Sequence, residues 1–403
     1  MNLTKNDLLP VVESVLSKRD DFFAVARDHG TPCYVYDQKE LDAHIDLFVN
    51  AFKAHVPNFK PYYALKLNHH PLIIGRVIEK GLGLDVASKR ELDMALNAKA
   101  SHIVYFSPGK SDDDIEYAVA NGDTVRIHID SFPELHRLGA ITDKLSQGVE
   151  AGIRINLPSQ GSWSKYGIQL DALKRFWEEA ARYPYIHLNG IHFHQSRNRT
   201  PSFYTDTIET IANYLTSSFS PEEREQILYI DFGGGFEVCG SEGVIRRGAD
   251  GQHTHEIRAA SAIETYAQAI GDAINTHLVP IINASYLSEP GRYICNNAMH
   301  IMLAIADVKG ARDVILNGGV NMVGWQRFER EYFPLINLSM PSLQEMTCNM
   351  WGNLCTTWDI WGYSCHADAL HEGDIIIVPN QGALTYSLAQ NFINEIPPVF
   401  SLY

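Results

Sequence analysis

Between Pro61 and Leu287 the chain alternates eight short β-branched or aromatic runs with longer stretches of helical periodicity, and this alternation restricts the fold more than any other feature. The runs are Pro61–Leu65, Leu82–Val86, Ile103–Phe106, Thr124–Ile129, Gly152–Asn156, Leu188–His192, Leu228–Phe232 and Ile281–Leu287. Helical candidates such as Arg90–Ala98, Asp112–Ala120, Leu170–Ala181 and Ala260–Ile274 lie between them, with apolar residues three or four apart and capping residues nearby. Eight β/α units in roughly 250 residues is the arithmetic of an α/β (β/α)8 TIM barrel. A doubly wound open sheet shows the same alternation and stays in play on periodicity alone.

The polar residues tilt the choice. Lys66, Asp85, Ser107, Arg154, His194, the run Gly233-Gly234-Gly235 and Glu289 each stand at or just after the C-terminal end of a different strand. A closed barrel gathers those ends at one mouth, whereas an open sheet spreads them along an edge. After Arg292 the pattern changes to strand-like runs without long helices: Tyr293–Val308, Val314–Leu316 and Asp374–Val378. We therefore expect a barrel over 38–292 and a β-rich domain built from 293–403 and the N-terminal segment 1–37, which contains the strand-like Cys33–Tyr36.

The balance of 33 Lys+Arg against 48 Asp+Glu leaves a net charge of −15, and no basic stripe appears, so nucleic acid is not an expected partner. No run approaches the roughly 18 apolar residues of a membrane span, and the N-terminus lacks a secretory pattern, so a cytoplasmic protein is expected. Cys33, Cys239, Cys295, Cys348, Cys355 and Cys365 follow no metal-ligand or disulfide rhythm.

Lys66 closes an apolar strand in Tyr62-Tyr63-Ala64-Leu65-Lys66-Leu67-Asn68. An exposed strand-end lysine is the plain reading. A lysine partly desolvated at a barrel mouth would instead have its pKa lowered toward the free amine that a Schiff base needs, and pyridoxal phosphate is the usual aldehyde. That chemistry requires a phosphate cradle, which Gly233, Gly234 and Gly235 could form by letting backbone N–H groups approach an anion. It also requires an anion for the pyridine nitrogen, and Ser288-Glu289-Pro290-Gly291-Arg292 offers a carboxylate, with a guanidinium for phosphate or a substrate carboxylate; a surface ion pair is the alternative. His192 and His194 share one side of a strand, open to reading as metal ligands, core imidazoles or a ring stacked on a flat cofactor, and Ser196 adds a hydroxyl donor.

Taken in order, YALKLN around Lys66, GLDVASKREL with Asp85, RIN at Arg154, HFHQS at His194, DFGGGF, SEPGRYI and WGNLCTTWD around Cys355 resemble the fold-type III pyridoxal-phosphate decarboxylases. That group contains diaminopimelate and ornithine decarboxylases and shares its barrel with alanine racemase. The resemblance spans nearly the whole chain. It implies that Lys66 carries pyridoxal phosphate as a Schiff base and that His194 stacks on the pyridine ring. Glu289 pairs with the ring nitrogen, with Asp85 and Arg154 beside it. Gly233, Gly234 and Gly235 hold the phosphate with Ser196, Gly291 and Arg292. It further implies a homodimer with active sites at the interface, where Cys355 enters from the partner subunit to protonate the α-carbon and Asp359 lies close behind.

The implied reaction is decarboxylation of an amino-acid substrate. Alanine racemases set an arginine opposite the pyridine nitrogen, and glutamate in the matching motif favours decarboxylation over racemisation. Two departures matter. The residue after Cys355 is Thr356, where diaminopimelate and ornithine decarboxylases carry an acid for the distal amino group, so the form LCT-x-x-D looks more like family members acting on modified amino acids in siderophore or antibiotic pathways. Arg292, Arg327, Arg330 and Arg197 are candidate partners for an amide, ester or carboxylate on such a substrate. In Gly382-Ala383-Leu384-Thr385-Tyr386, leucine replaces a phosphate-binding tyrosine, which leaves the role to Tyr386 or leaves the cradle one hydrogen bond poorer. A decarboxylase of diaminopimelate, ornithine or lysine, a non-catalytic regulatory relative, and a metal enzyme using His192, His194, His69 and His70 are the alternatives.

Overall fold

The computed structural model describes residues 2–3, 5–157, 164–238, 243–247, 253–310, 312–324 and 331–403. The chain divides into two compact units, one of Ile45–Glu237 and Ser261–Gly291, the other of Met1–His44, Val238–Ala260 and Arg292–Tyr403.

The first unit is a barrel of eight strands: β1 (Phe59–Ala64), β2 (Gly83–Val86), β3 (Ile103–Phe106), β4 (Val125–Ile129), β5 (Val149–Asn156), β6 (Ile186–His192), β7 (Tyr229–Asp231) and β8 (Ser285–Ser288). Every neighbour pair is parallel, and the pairings of β4 with β5 and of β8 with β1 close the ring. The helices after β2, β3 and β4 each begin at a serine whose hydroxyl accepts a backbone N–H three residues on: Ser88, Ser111 and Ser131. Those caps satisfy amides that helix geometry leaves without partners, so each strand-to-helix turn is fixed by its own sequence.

Side chains alternate along a strand, and the register stacks the inward ones in layers. On β5, β6 and β7, Gly152 pairs with Gly190 and Gly190 with Tyr229, while one layer nearer the mouth Arg154 pairs with His192 and His192 with Asp231. The lower layer is a floor. Tyr62, Val104, Tyr229 and Leu287 pack together there, and the two glycines give the Tyr229 ring its space: a Cβ on Gly190 would lie 1.9 Å from that ring, and one on Gly152 would lie 2.3 Å from its hydroxyl.

The second unit is built on an eight-stranded, mainly antiparallel sheet that includes Cys33–Tyr36, Met299–Gly310, Glu345–Trp351, Ile360–His366 and Ile375–Val378. Two helices unforeseen from the sequence, Leu9–Ser17 and Arg19–His29, lay Val12, Val15, Phe22 and Val25 against Cys33, Val35, Met302 and Ile377 of that sheet. The expected strand from Tyr293 is instead a short helix, Arg292–Cys295, and the strand begins at Met299. The division also differs from 38–292. The hairpin Gly243–Arg247 and His253–Arg258 finds partners in Asn2–Leu3 and Glu331–Tyr332, edges that a closed barrel cannot offer, and so Val238–Ala260 belongs to the second unit. Among the described residues no helix is long and apolar enough to cross a membrane.

Because the floor has no spare volume, Gly190→Ala should destabilise the barrel by about 1–3 kcal/mol, the cost of overpacking a filled core, measurable as a lowered urea midpoint.

Candidate active site

Lys66 follows β1, and its Nζ lies 2.9 Å from Asp85 Oδ2 at the end of β2. Asp85 is buried, while the lysine side chain keeps 42% of its accessible area. Desolvation pulls the Lys66 pKa down, but the carboxylates of Asp85 and Glu289 outweigh it and the net shift is upward. The lowered pKa expected for a strand-end lysine is therefore not found: two nearby anions hold Lys66 as the ammonium. Burial and the Glu289 charge in turn push Asp85 up to about 7 against the pull of Lys66.

Arg154 and His192 belong to the same layer. Arg154 Nη1 donates to His192 Nε2 at 2.8 Å, and Nη2 donates to the carbonyl of His194 at 2.6 Å. Burial pulls the Arg154 pKa down to about 10, with Glu289 and Asp231 opposing. A guanidinium can only donate, so His192 accepts at Nε2 and carries its proton on Nδ1, which lies 3.1 Å from Nδ1 of His128. Both imidazoles are buried, and desolvation first, with nearby cations second for His192, keeps them neutral, well below the usual histidine range. His128 was not singled out from the sequence, although its place two residues after Arg126 on β4 marks it as inward-facing.

His194 Nδ1 accepts the amide of Gly234 at 3.0 Å, and burial with the Arg154 and Lys66 charges holds its ring neutral. The glycine loop is close-packed. Gly233 and Gly235 have φ of 68° and 91°, a Cβ on Gly234 would sit 2.1 Å from the Glu289 carbonyl oxygen, and one on Gly235 would sit 2.0 Å from that of Gln195. Only glycine fits these positions. The Gly233 amide goes to Asp231 Oδ1 at 2.8 Å. Glu289 is buried beyond β8, its Oε2 3.6 Å from His192 Nε2, and its Oε1 has no hydrogen-bond partner among the described residues. These features fit pyridoxal phosphate: an amine for its aldehyde, a flat neutral imidazole, a buried carboxylate with a lone pair to offer its ring nitrogen, and a loop stripped of side chains for its phosphate.

Of the remaining sequence candidates, Ser196, Arg197 and Gly291 follow strands of the barrel unit, and the others lie in the other unit or outside the described residues. Arg292 opens the helix Arg292–Cys295 and is buried; Tyr386 meets Tyr34 edge-on at 5.5 Å; Leu384 takes a φ of 57°, rare for a leucine. Cys355 is exposed and Thr356 half-buried in a turn that Asp359 pins from within. The Asp359 carboxylate accepts the amides of Val320 at 2.7 Å and Leu354 at 2.6 Å, and Gly352 leaves room for it. Asp359, expected close behind Cys355, is buried and holds the turn. Arg327 and Arg330 fall outside the described residues. The sequence reading also passed over Lys110, whose fully buried ammonium bonds Glu134, the carbonyl of Ser107 and that of His128 and so ties the loop after β3 to β4.

A parallel barrel with a lysine, a glycine loop and a buried carboxylate at the C-terminal ends of its strands is an arrangement suited to a pyridoxal-phosphate enzyme. Residues 42–296 match the pyridoxal binding domain of the pyridoxal-dependent decarboxylases, and the chain belongs to that family. Its cofactor is pyridoxal phosphate, and it is a carboxy-lyase. Among curated relatives, 2-[(L-alanin-3-ylcarbamoyl)methyl]-2-hydroxybutanedioate decarboxylase of Staphylococcus aureus is 27% identical over 93% of this chain and 94% of its own. L-glutamyl-[BtrI acyl-carrier protein] decarboxylase of Niallia circulans is 25% identical over 93% and 89%. Among solved structures, diaminopimelate decarboxylase from M. jannaschii in complex with L-lysine superposes with a TM-score of 0.80 at 21% identity over 94% of this chain and 89% of that one, a likeness of fold.

His128 is neutral in the folded barrel but takes up a proton near pH 6.5 once unfolded, so its contribution to stability is present above that pH and is lost as pH falls below it. His128→Asn should therefore flatten the dependence of unfolding free energy on pH below about 6.5 by roughly 1.4 kcal/mol per unit, read from denaturant titrations.

Proposed function

We propose that this enzyme removes the α-carboxylate of an amino acid whose side chain ends in an amide, ester or carboxylate rather than a free ammonium, as a cytoplasmic homodimer whose Cys355 turn completes the partner's barrel mouth. Bound pyridoxal phosphate supplies an electron-withdrawing ring that accepts the bonding pair left when carbon dioxide departs. Lys66 holds the aldehyde. Asp85, 2.9 Å from the lysine Nζ, orients that amine at the mouth. His194 presents a neutral ring face to the cofactor, and Glu289 keeps the pyridine nitrogen protonated. The amides of Gly233 and Gly234 already serve Asp231 and His194, so phosphate binding falls to Gly235, Ser196, Gly291, Arg292 and Tyr386. Cys355 delivers the proton to the α-carbon.

Thr356 carries the substrate assignment. A neutral hydroxyl beside Cys355 leaves a substrate ammonium without a counter-charge, and an unpaired buried cation costs several kcal/mol. The substrates for which the two relatives are named, one joined through a carbamoyl group to a hydroxybutanedioate and the other a glutamyl group on a carrier protein, likewise do not end in an ammonium. The dimer is supported by the surface next to the turn. Trp358 is 57% exposed, Phe392 39% and Ile393 59%, and Asn394 Nδ2 bonds Asn353 Oδ1 at 2.9 Å, so two neighbouring loops each carry exposed apolar side chains. The free thiols of Cys33, Cys295, Cys348, Cys355 and Cys365 accord with a reducing compartment.

Carbon dioxide release across a substrate panel tests this: amide- and carboxylate-ended amino acids should exceed ornithine, lysine and meso-diaminopimelate by about 100-fold or more in kcat/KM, the equivalent of an unpaired charge. Efficient turnover of those three would overturn the substrate assignment. Cys355→Ala should lower kcat about 10²- to 10⁴-fold, the worth of a positioned proton donor, with KM little changed. Lys66→Ala should abolish both turnover and the borohydride-sensitive visible absorption, and retention of both would overturn the assignment of Lys66.

A further inference from the structure

Three buried carboxyl groups, Asp85, Asp231 and Glu289, share the polar layer of the barrel with two cations, Lys66 and Arg154. Lys66 is committed to Asp85 by a 2.9 Å ion pair. Arg154 binds His192 and the His194 carbonyl, and the first carboxylate its charge answers is Glu289, with Asp231 behind. Among the described residues, Asp231 has no ion pair with any lysine, arginine or histidine. It is wholly buried, and its carboxyl group accepts the Gly233 amide on Oδ1. Asp231 Oδ2 and Glu289 Oε1 are both buried without a partner, while a carboxylate oxygen of each residue lies within 4.8 Å of the other. Two bare anions at that distance in a buried layer repel, whereas one proton between them removes a charge and satisfies both oxygens.

We infer that Asp231 is a neutral carboxylic acid that donates its proton to Glu289 in a hydrogen bond, and so acts as the positioning residue that fixes Glu289 as the anion facing the pyridine nitrogen. Desolvation, then the Glu289 charge, moves the Asp231 pKa well above the ordinary carboxylate range. Backbone ties set the geometry: the Gly233 carbonyl accepts the Glu289 amide at 2.9 Å and the Ser288 hydroxyl at 2.7 Å, while its own amide goes back to Asp231. Asp231, the first turn of the glycine loop and Glu289 therefore form one closed unit. The charged and titratable groups around it are Arg154, Lys66, Asp85, His128, His192, His194 and, below, Tyr62 and Tyr229. His128, His192, Asp231 and Glu289 are grouped closely enough for a cation cage, but both ring nitrogens of His192 are engaged, by Arg154 and by His128, and the Arg154 guanidinium already occupies the place of the positive charge.

The last step of this inference rests on the cofactor reading, but the protonation state does not, and infrared spectroscopy of the full-length enzyme, loaded and stripped of cofactor, separates the two. At pH 8.5, where Asp85 is ionised, both forms should show the carbonyl stretch of a buried protonated carboxyl, and Asp231→Asn should remove it. The side-chain amide introduced by Asp231→Asn keeps a donor toward Glu289, so that variant should hold kcat within about tenfold of wild type, whereas Asp231→Ala loses a charge-assisted bond worth about 10- to 150-fold, in kcat and not in KM. Absence of the band from wild type, or an Asp231→Asn loss as large as that of Asp231→Ala, would overturn the inference. Should Asp231→Ala fail to fold, the band and the asparagine variant still decide it. A wild type that shows the band but releases no carbon dioxide would defeat the proposed function and leave this assignment standing.

Discussion

The barrel mouth depends on one constraint: charges withdrawn from water must neutralise one another at short range. Lys66 balances Asp85, and Arg154 faces Glu289 while its guanidinium is also held by a neutral histidine and a backbone carbonyl. Strand register delivers this arrangement. Arg154, His192 and Asp231 stand level on three adjacent strands, so they meet in the centre without help from any loop. A one-residue slip would turn each of them outward and empty the layer.

The chemistry is divided between regular strands and the segments that follow them. The strands carry the groups whose mutual placement must be tight, and the turns carry those proposed to hold the cofactor: Lys66, His194, the three glycines and Glu289. The second unit repeats the division. Asp359 is not spread toward a ligand but folded inward to receive two backbone amides, and the exposed Cys355 and half-buried Thr356 gain their placement from that buried anchor.

Much of this was legible in the sequence. The eight strands fall within a few residues of the apolar runs that announce them, because β-branched and aromatic residues between Gly, Pro and Asn favour little else. Lys66, Asp85, Arg154, His194 and Glu289 were found by their position at strand ends. What stayed hidden depended on partners far away in the chain. The hairpin at 243–258 belongs to the second unit because of edges supplied by residues 2–3 and 331–332. The upward shift of Lys66 depends on Asp85 and on Glu289 at the far end of the barrel sequence, and its direction could not be read from the local run. Asp231 lay inside the motif that drew attention to the glycine loop, but a lone aspartate at a strand end shows its character only when its neighbours are counted.

The tyrosine floor has a consequence for traffic. With Tyr229 lying across two glycines and packed against Tyr62, Val104 and Leu287, the barrel is a vessel stoppered at one end. Among the described residues this packing leaves the polar layer no path through the floor, so a flat group held at the mouth by Lys66, His194 and Glu289 would set how fast the buried protons below it exchange with solvent.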